Sequence, residues 1–187
     1  MFLQFCGLKE QPFGVTPDPR FMYPSRTHSK AFNSLSCGIE AGCGFLALIA
    51  KPGMGKTTLD FHLLKRFEQK SRAIFLFQTQ CDSRELLRYL LDGLGLDAAG
   101  QDIVSMHGRL GQLLARELLA GRRFVLIIDE CQNLDNSVLE TVQLLSDFGT
   151  PRAKLMQIIF AGQTQLADKL SSPSLPQLRD VATISSH

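Results

Sequence analysis

Four short apolar runs set the frame of this chain: Phe45–Ile49, Ala73–Phe77, Phe124–Ile128 and Gln157–Ala161. Each is continuous rather than alternating, the pattern of a strand covered on both faces in a parallel sheet. Stretches with helical spacing lie between them: Thr57–Gln69, Ser83–Gly93, Ile103–Ala120 and Val138–Ser146. Gly121 is placed to stop the third of these. Ahead of the first strand, Ala31, Phe32, Leu35 and Ile39 recur at helical spacing and predict a helix over 25–40, capped by Thr27 or Ser29. Val181–Ile184 is a candidate fifth strand. This alternation predicts a three-layer α/β domain with right-handed crossovers. Residues 1–24 read differently. Phe2, Phe5, Phe13, Phe21 and Tyr23 are interleaved with Pro12, Pro17, Pro19 and Pro24, and prolines this close together exclude a long helix. The expected organisation is an irregular arm over 1–24, its aromatics packed on the domain, and a core over 25–187.

The first strand runs directly into Ala50-Lys51-Pro52-Gly53-Met54-Gly55-Lys56-Thr57, and a helical segment follows. Strand, glycine loop and helix are the context that gives a phosphate-loop pattern its meaning. The glycines let the backbone curl so that successive N–H groups face one phosphate, and the helix start adds the positive end of its dipole. Pro52, Gly53, Met54, Gly55, Lys56, Thr57 and Thr58 are the candidate cradle. Lys56 can reach the β- and γ-phosphates, and the Thr57 hydroxyl can sit on Mg²⁺. Ala50 stands where the first glycine of the pattern is usual, a sterically mild change at the loop's opening.

The third apolar run ends in Asp129-Glu130. Two carboxylates at the carboxyl end of a buried strand lie at the sheet edge where ligands bind in open α/β folds. Asp129 is expected to hold Mg²⁺ together with Thr57 through water, and Glu130 to orient or deprotonate an attacking water. The fourth run leads into Gln163. A polar side chain there can touch the γ-phosphate or the water; a solvated loop glutamine is the competing reading.

Composition changes little in this picture. Apolar content of 44%, charged content of 20% and a net charge of +2 are ordinary for a globular chain and give no argument for nucleic acid. Five cysteines, an odd number with no Cys-x-x-Cys pair, argue against a disulfide framework or zinc site and for reduced, mostly buried thiols. No apolar run has the length of a membrane span, and the N-terminus lacks the features of a signal peptide. A soluble, cytoplasmic protein is expected, with docking at the inner face of the bacterial inner membrane left open.

Longer stretches carry a resemblance. Phe5-Cys6-Gly7-Leu8-Lys9-Glu10-Gln11-Pro12-Phe13 and Thr16-Pro17-Asp18-Pro19-Arg20-Phe21, with Tyr23, His28 and Ala31-Phe32, resemble the N-terminal signature of the ExeA-type secretion ATPases (general secretion pathway component A). So do Ile127-Ile128-Asp129-Glu130-Cys131-Gln132-Asn133-Leu134, where the family usually has alanine in place of Cys131, and Leu155-Met156-Gln157-Ile158 with Ala161-Gly162-Gln163. The match runs from residue 5 to about 179.

That resemblance implies an AAA+ P-loop fold with strand order 5-1-4-3-2 and ATP as the nucleotide. It maps Lys56 and Thr57 onto the phosphate-loop pair, Asp129 and Glu130 onto the acid pair and Gln163 onto the first sensor. It also implies an arm that helps hold the adenine, with Tyr23 and His28 to be tested beside Phe13; plain packing of the arm is the alternative. Two departures stand out. Val181 follows Leu178-Arg179-Asp180 where the family shows a further arginine, so Arg179 is the available substitute for a finger. The helical lid is expected beyond residue 187. The implied activity is Mg-dependent ATP hydrolysis that drives assembly or remodelling of a secretion or cell-envelope export complex, with self-association and a membrane-associated partner. The alternatives are a DNA-binding helper ATPase of the transposition type and an ATP-binding switch with little hydrolysis.

Overall fold

In the computed structural model, which describes residues 5, 7, 18, 20, 22–69, 71–77, 80–150, 153–178 and 181–186, helix and strand alternate along the chain. The order is α1 (Arg26–Ala41), β1 (Phe45–Ala50), α2 (Lys56–Phe67), β2 (Ser71–Leu76), α3 (Ser83–Gly93), α4 (Ile103–Leu119) and β3 (Arg123–Ile128). After a 3-10 turn at Cys131–Asn133 come α5 (Asn136–Ser146), β4 (Gly149–Thr150), β5 (Ala153–Lys154), β6 (Met156–Gly162), α6 (Gln165–Leu170), a 3-10 turn at Pro176–Leu178 and β7 (Ala182–Ser186). Helix starts follow local chemistry. Asp82 and Glu85 form a reciprocal capping box on α3, and the Asp102 carboxylate accepts from Ser105 N at 2.7 Å on α4. On α1 the cap is Ser25, not Thr27 or Ser29. Its hydroxyl oxygen accepts from His28 N at 3.2 Å, and both expected residues lie inside the helix.

Five strands form one sheet in the order β2-β3-β6-β1-β7, and every neighbouring pair is parallel. Counted along the chain within this sheet, that is 5-1-4-3-2 read from the β7 edge, as expected. The candidate fifth strand forms and pairs with β1, Leu48 opposite Ile184. Strands β4 and β5 make a separate antiparallel ribbon that the apolar pattern does not reveal.

Successive side chains point to opposite sides, and β1, β3 and β6 are buried on both faces, whereas the edge strand β2 exposes Arg72 and Ala73 and so departs from the expected two-faced burial. Phe124, Leu126 and Ile128 join Ile158, Phe160, Leu86, Leu90, Leu110, Val142 and Leu166 in a cluster with α3–α6. Val125, Ile127, Ile159 and Ala161 join Leu35, Ile39, Leu59 and Leu63 in a second cluster with α1 and α2. Three layers result, with the sheet in the middle.

Two expectations need correction. Met22 packs against the second cluster, but Phe5 is 91% and Tyr23 82% exposed, so these two aromatics of the arm do not pack on the domain. Phe2, Phe13, Phe21 and Arg179 lie outside the described residues. Of the four described cysteines only Cys131 is buried; Cys37 and Cys43 are exposed because they fall on the outer face and beyond the end of α1. Among the described residues no helix is long and apolar enough to cross a membrane.

Candidate nucleotide site

Parallel pairing brings the carboxyl ends of β1, β3 and β6 to one edge, with Ile49 opposite Gly162 and Ile128 opposite Phe160. The loop after β1 therefore faces the acids after β3 and the glutamine after β6. Gly53 (φ 78°) and Gly55 (φ 75°) adopt left-handed backbone, which a side chain would strain. Gly55 caps α2 without a side-chain bond, so the first-turn N–H groups of that helix, including those of Thr57 and Thr58, have no capping side chain, as a helix start that takes an anion requires. Pro52 and Gly53 are exposed and Met54 is half-buried. Lys56 is buried, with Nζ donating to the Ala50 carbonyl at 3.3 Å and lying 3.5 Å from that of Lys51. The lysine is thus folded over the loop it belongs to.

Thr57 Oγ1 donates to Asp129 Oδ2 at 2.5 Å, and Asp129 Oδ1 accepts from Glu130 N at 2.8 Å. A hydroxyl and a carboxylate brought together beside a phosphate-binding loop fit Mg²⁺, which is held by one or two carboxylates while phosphate and water complete its shell. Among the described residues no cluster of three or more His, Cys, Asp or Glu offers a fuller metal site. Glu130 is the only non-glycine described residue with positive φ (51°), a backbone costing on the order of 1 kcal/mol. Its Oε2 accepts from Gln163 Nε2 at 3.3 Å and from Gln132 Nε2 at 2.5 Å.

His28 also reaches this loop. Its Nε2 lies 2.9 Å from the Met54 carbonyl oxygen and its Nδ1 2.8 Å from Ser25 Oγ. A carbonyl can only accept, so Nε2 donates to Met54, and the Ser25 hydroxyl is the partner of Nδ1. The histidine clamps the loop's backbone. Tyr23, by contrast, is exposed, and its side chain makes no hydrogen bond among the described residues.

Sequence reasoning missed Asp60, Gln132 and Lys169. Asp60 lies one turn after Lys56 with no exposed surface and, among the described residues, no hydrogen-bond partner for either carboxylate oxygen. Burial pushes its pKa well up, the nearby Asp129 charge adds to this, and Lys56 opposes it. Cys131 is also raised, chiefly by burial, and its thiol donates to the Ile128 carbonyl at 3.0 Å. Lys169 donates to the carbonyls of Gln132 and Leu134 and pins the turn after the acids. Such partners are set by tertiary contact and carry no local spacing that would announce them.

A family model described as an AAA domain matches residues 39–170. The chain is 34% identical over 194 aligned residues to General secretion pathway protein A of Aeromonas hydrophila, a match that covers 100% of this chain and 34% of that protein. The chain thus spans about a third of the length of that curated relative. Among solved structures, the ADP form of the Aeropyrum pernix ORC2 protein superposes with a TM-score of 0.71 at 12% identity, covering 94% of this chain and 50% of that one. Cdc6p from Pyrobaculum aerophilum gives 0.67 at 15%, covering 93% and 48%. At such identities these two speak to the fold alone. The full-length match and the family model settle the affiliation: this chain belongs to the AAA domain family and, within it, to the P-loop ATPases of the general secretion pathway protein A type.

Proposed function

We propose that the chain binds ATP in the loop at 50–57 and hydrolyses it with Mg²⁺, and that turnover drives assembly or remodelling of a secretion or envelope export complex. The observation that carries this reading is the bond between Thr57 of the loop and Asp129 of the acid pair, which joins the two halves of the site. The loop N–H groups from Gly53 to Thr58 hold the phosphates. Lys56 exchanges its carbonyl partners for phosphate oxygens, which are stronger acceptors for an ammonium. Thr57 and Asp129 hold Mg²⁺, which when bound neutralises charge on the triphosphate. Glu130 orients the attacking water and accepts its proton, and Gln163 contacts the γ-phosphate or that water.

The relatedness to General secretion pathway protein A supports the secretion role; self-association, a membrane-associated partner and placement at the inner face of the inner membrane belong to the same proposal. His28 at the start of α1 carries that end of the core onto the loop.

Glu130→Gln tests the chemistry. It removes the proton acceptor and keeps the shape, so nucleotide affinity is expected to stay within about twofold while phosphate release falls by about 100-fold or more. Release at the wild-type rate would remove Glu130 from the role of base.

A further inference from the structure

Gln132 lies two residues past Glu130, in the 3-10 turn at Cys131–Asn133, and is half-buried. Its side-chain amide does two things at once. Nε2 donates to Glu130 Oε2 at 2.5 Å, while Oε1 accepts from the backbone N–H of Gln163 at 3.0 Å. The Gln163 side chain returns to the same Glu130 oxygen at 3.3 Å. The bonds close a ring through the Glu130 carboxylate, the Gln132 amide and both the main chain and side chain of Gln163. Lys169 holds the Gln132 carbonyl at 3.0 Å and so fixes the turn from which this amide projects.

Two further observations show that the position is built for an amide. A Cβ placed on Gly162 would come within 2.8 Å of Gln132 Oε1 and 2.7 Å of Leu166 Cδ2, so the glycine leaves the space that the amide oxygen needs. The two partners also differ in kind: a carboxylate accepts and a backbone N–H donates. A carboxylate at position 132 would repel Glu130, a lysine or arginine could not accept from Gln163, and an apolar side chain would serve neither. An amide bridges both without competing for the water's proton.

We propose that Gln132 is a positioning residue: it fixes the Glu130 carboxylate and ties it to the Gln163 segment, so that a contact at Gln163 is felt at the base. This rests on the reading of Glu130 as the group that activates water. A glutamate has three side-chain torsions, and a base must lie within hydrogen-bond reach of the proton it takes. Holding Oε2 with two amide donors restricts those torsions and leaves Oε1 without a hydrogen bond among the described residues. A ligand drawing the Gln163 side chain away removes one of the two donors and leaves Gln132 as the remaining hold.

Two variants of the full chain separate the two bonds of the amide. Gln132→Ala removes both. Gln132→Glu keeps an oxygen for the Gln163 N–H but replaces the donor to Glu130 with a charge. In the ligand-free protein, amide hydrogen exchange by NMR is expected to speed up about tenfold or more at Gln163 in Gln132→Ala and to stay near wild type in Gln132→Glu. The Glu130 carboxylate carbon should shift in both variants, with resonances of residues remote from the turn unchanged as the check on folding. In phosphate release, both variants are expected to lose about tenfold or more in kcat with KM for ATP within about twofold. Unchanged exchange at Gln163 in Gln132→Ala, or an unshifted Glu130 carboxylate in both variants, overturns the proposal. Titration of the wild type with a fluorescent ATP analogue reads the ATPase assignment separately, because the exchange and carboxylate signals need no nucleotide.

Discussion

Asp60 is the residue whose surroundings oppose its own charge. It is fully buried, with no hydrogen-bond partner among the described residues and another carboxylate nearby, and burial pushes its folded pKa well above 3.8. A group raised on folding contributes stability that is present below its unfolded pKa and is lost as pH rises through the folded value. From about pH 5 upward, the unfolded chain releases this proton while the folded one keeps it, which lowers stability by up to about 1.4 kcal/mol per pH unit from this one group. Asp60→Asn keeps the shape and removes the proton. Urea denaturation at about pH 5 and about pH 7 should show a smaller loss in the variant than in the wild type. An identical pH slope in both would show that Asp60 is ionised in the folded state. At this scale the sequence revealed what a short motif encloses. Lys56, Thr57, Asp129 and Glu130 announce themselves because a loop and a strand end set their neighbours within a few positions. Asp60 and Gln132 did not, since their meaning comes from segments distant in the chain.

Between elements, α1 holds the phosphate loop through a hydrogen bond, His28 Nε2 to the Met54 carbonyl. Losing one such bond to a loop that must hold its shape weakens binding by about two- to tenfold. His28→Ala should weaken ATP and GTP analogues by the same factor in fluorescence titrations. A loss confined to ATP would place the histidine on the adenine instead of the loop.

At the opposite end of the strands, Glu117 of α4 pairs with Arg122 at 2.5 Å and with Arg72 of β2 at 3.6 Å. The hydrogen bond from Arg122, with both guanidinium charges nearby, lowers the pKa of Glu117. The sign is opposite to that of Asp60: this stability is present above about 4.5, the unfolded value, and is lost as pH falls through the folded pKa. Both arginines are about half exposed, so Arg122→Ala should lower stability only slightly at neutral pH and less in acid. A cost that is equal at both pH values would contradict the pairing.

Element types were readable because both faces of the central strands β1, β3 and β6 are apolar, but their edges were not. Strand β2 starts at Ser71 rather than Ala73 since main-chain pairing with Arg123 needs no apolar side chain. Helix α6, of six residues, and the two-residue strands β4 and β5 are too short to show a period.

For the whole molecule, the alternation of strand and helix predicted three layers, whereas the strand order came from the family resemblance and matches the sheet found. Periodicity cannot rank strands in a sheet, because every central strand is buried alike. The same topology makes the site. A parallel sheet gathers three strand ends at one edge, and a loop, an acid pair and a glutamine become one constellation although more than a hundred positions separate Lys56 from Gln163 along the chain. The central claim is that this constellation binds and turns over ATP. Its most direct test is titration with a fluorescent ATP analogue and Mg²⁺, beside Lys56→Ala, with phosphate release followed on the same samples. Saturable binding and measurable release are expected in the wild type, with affinity weakened by about tenfold or more in the variant. Equal affinity in the two proteins, or no binding in either, would contradict it.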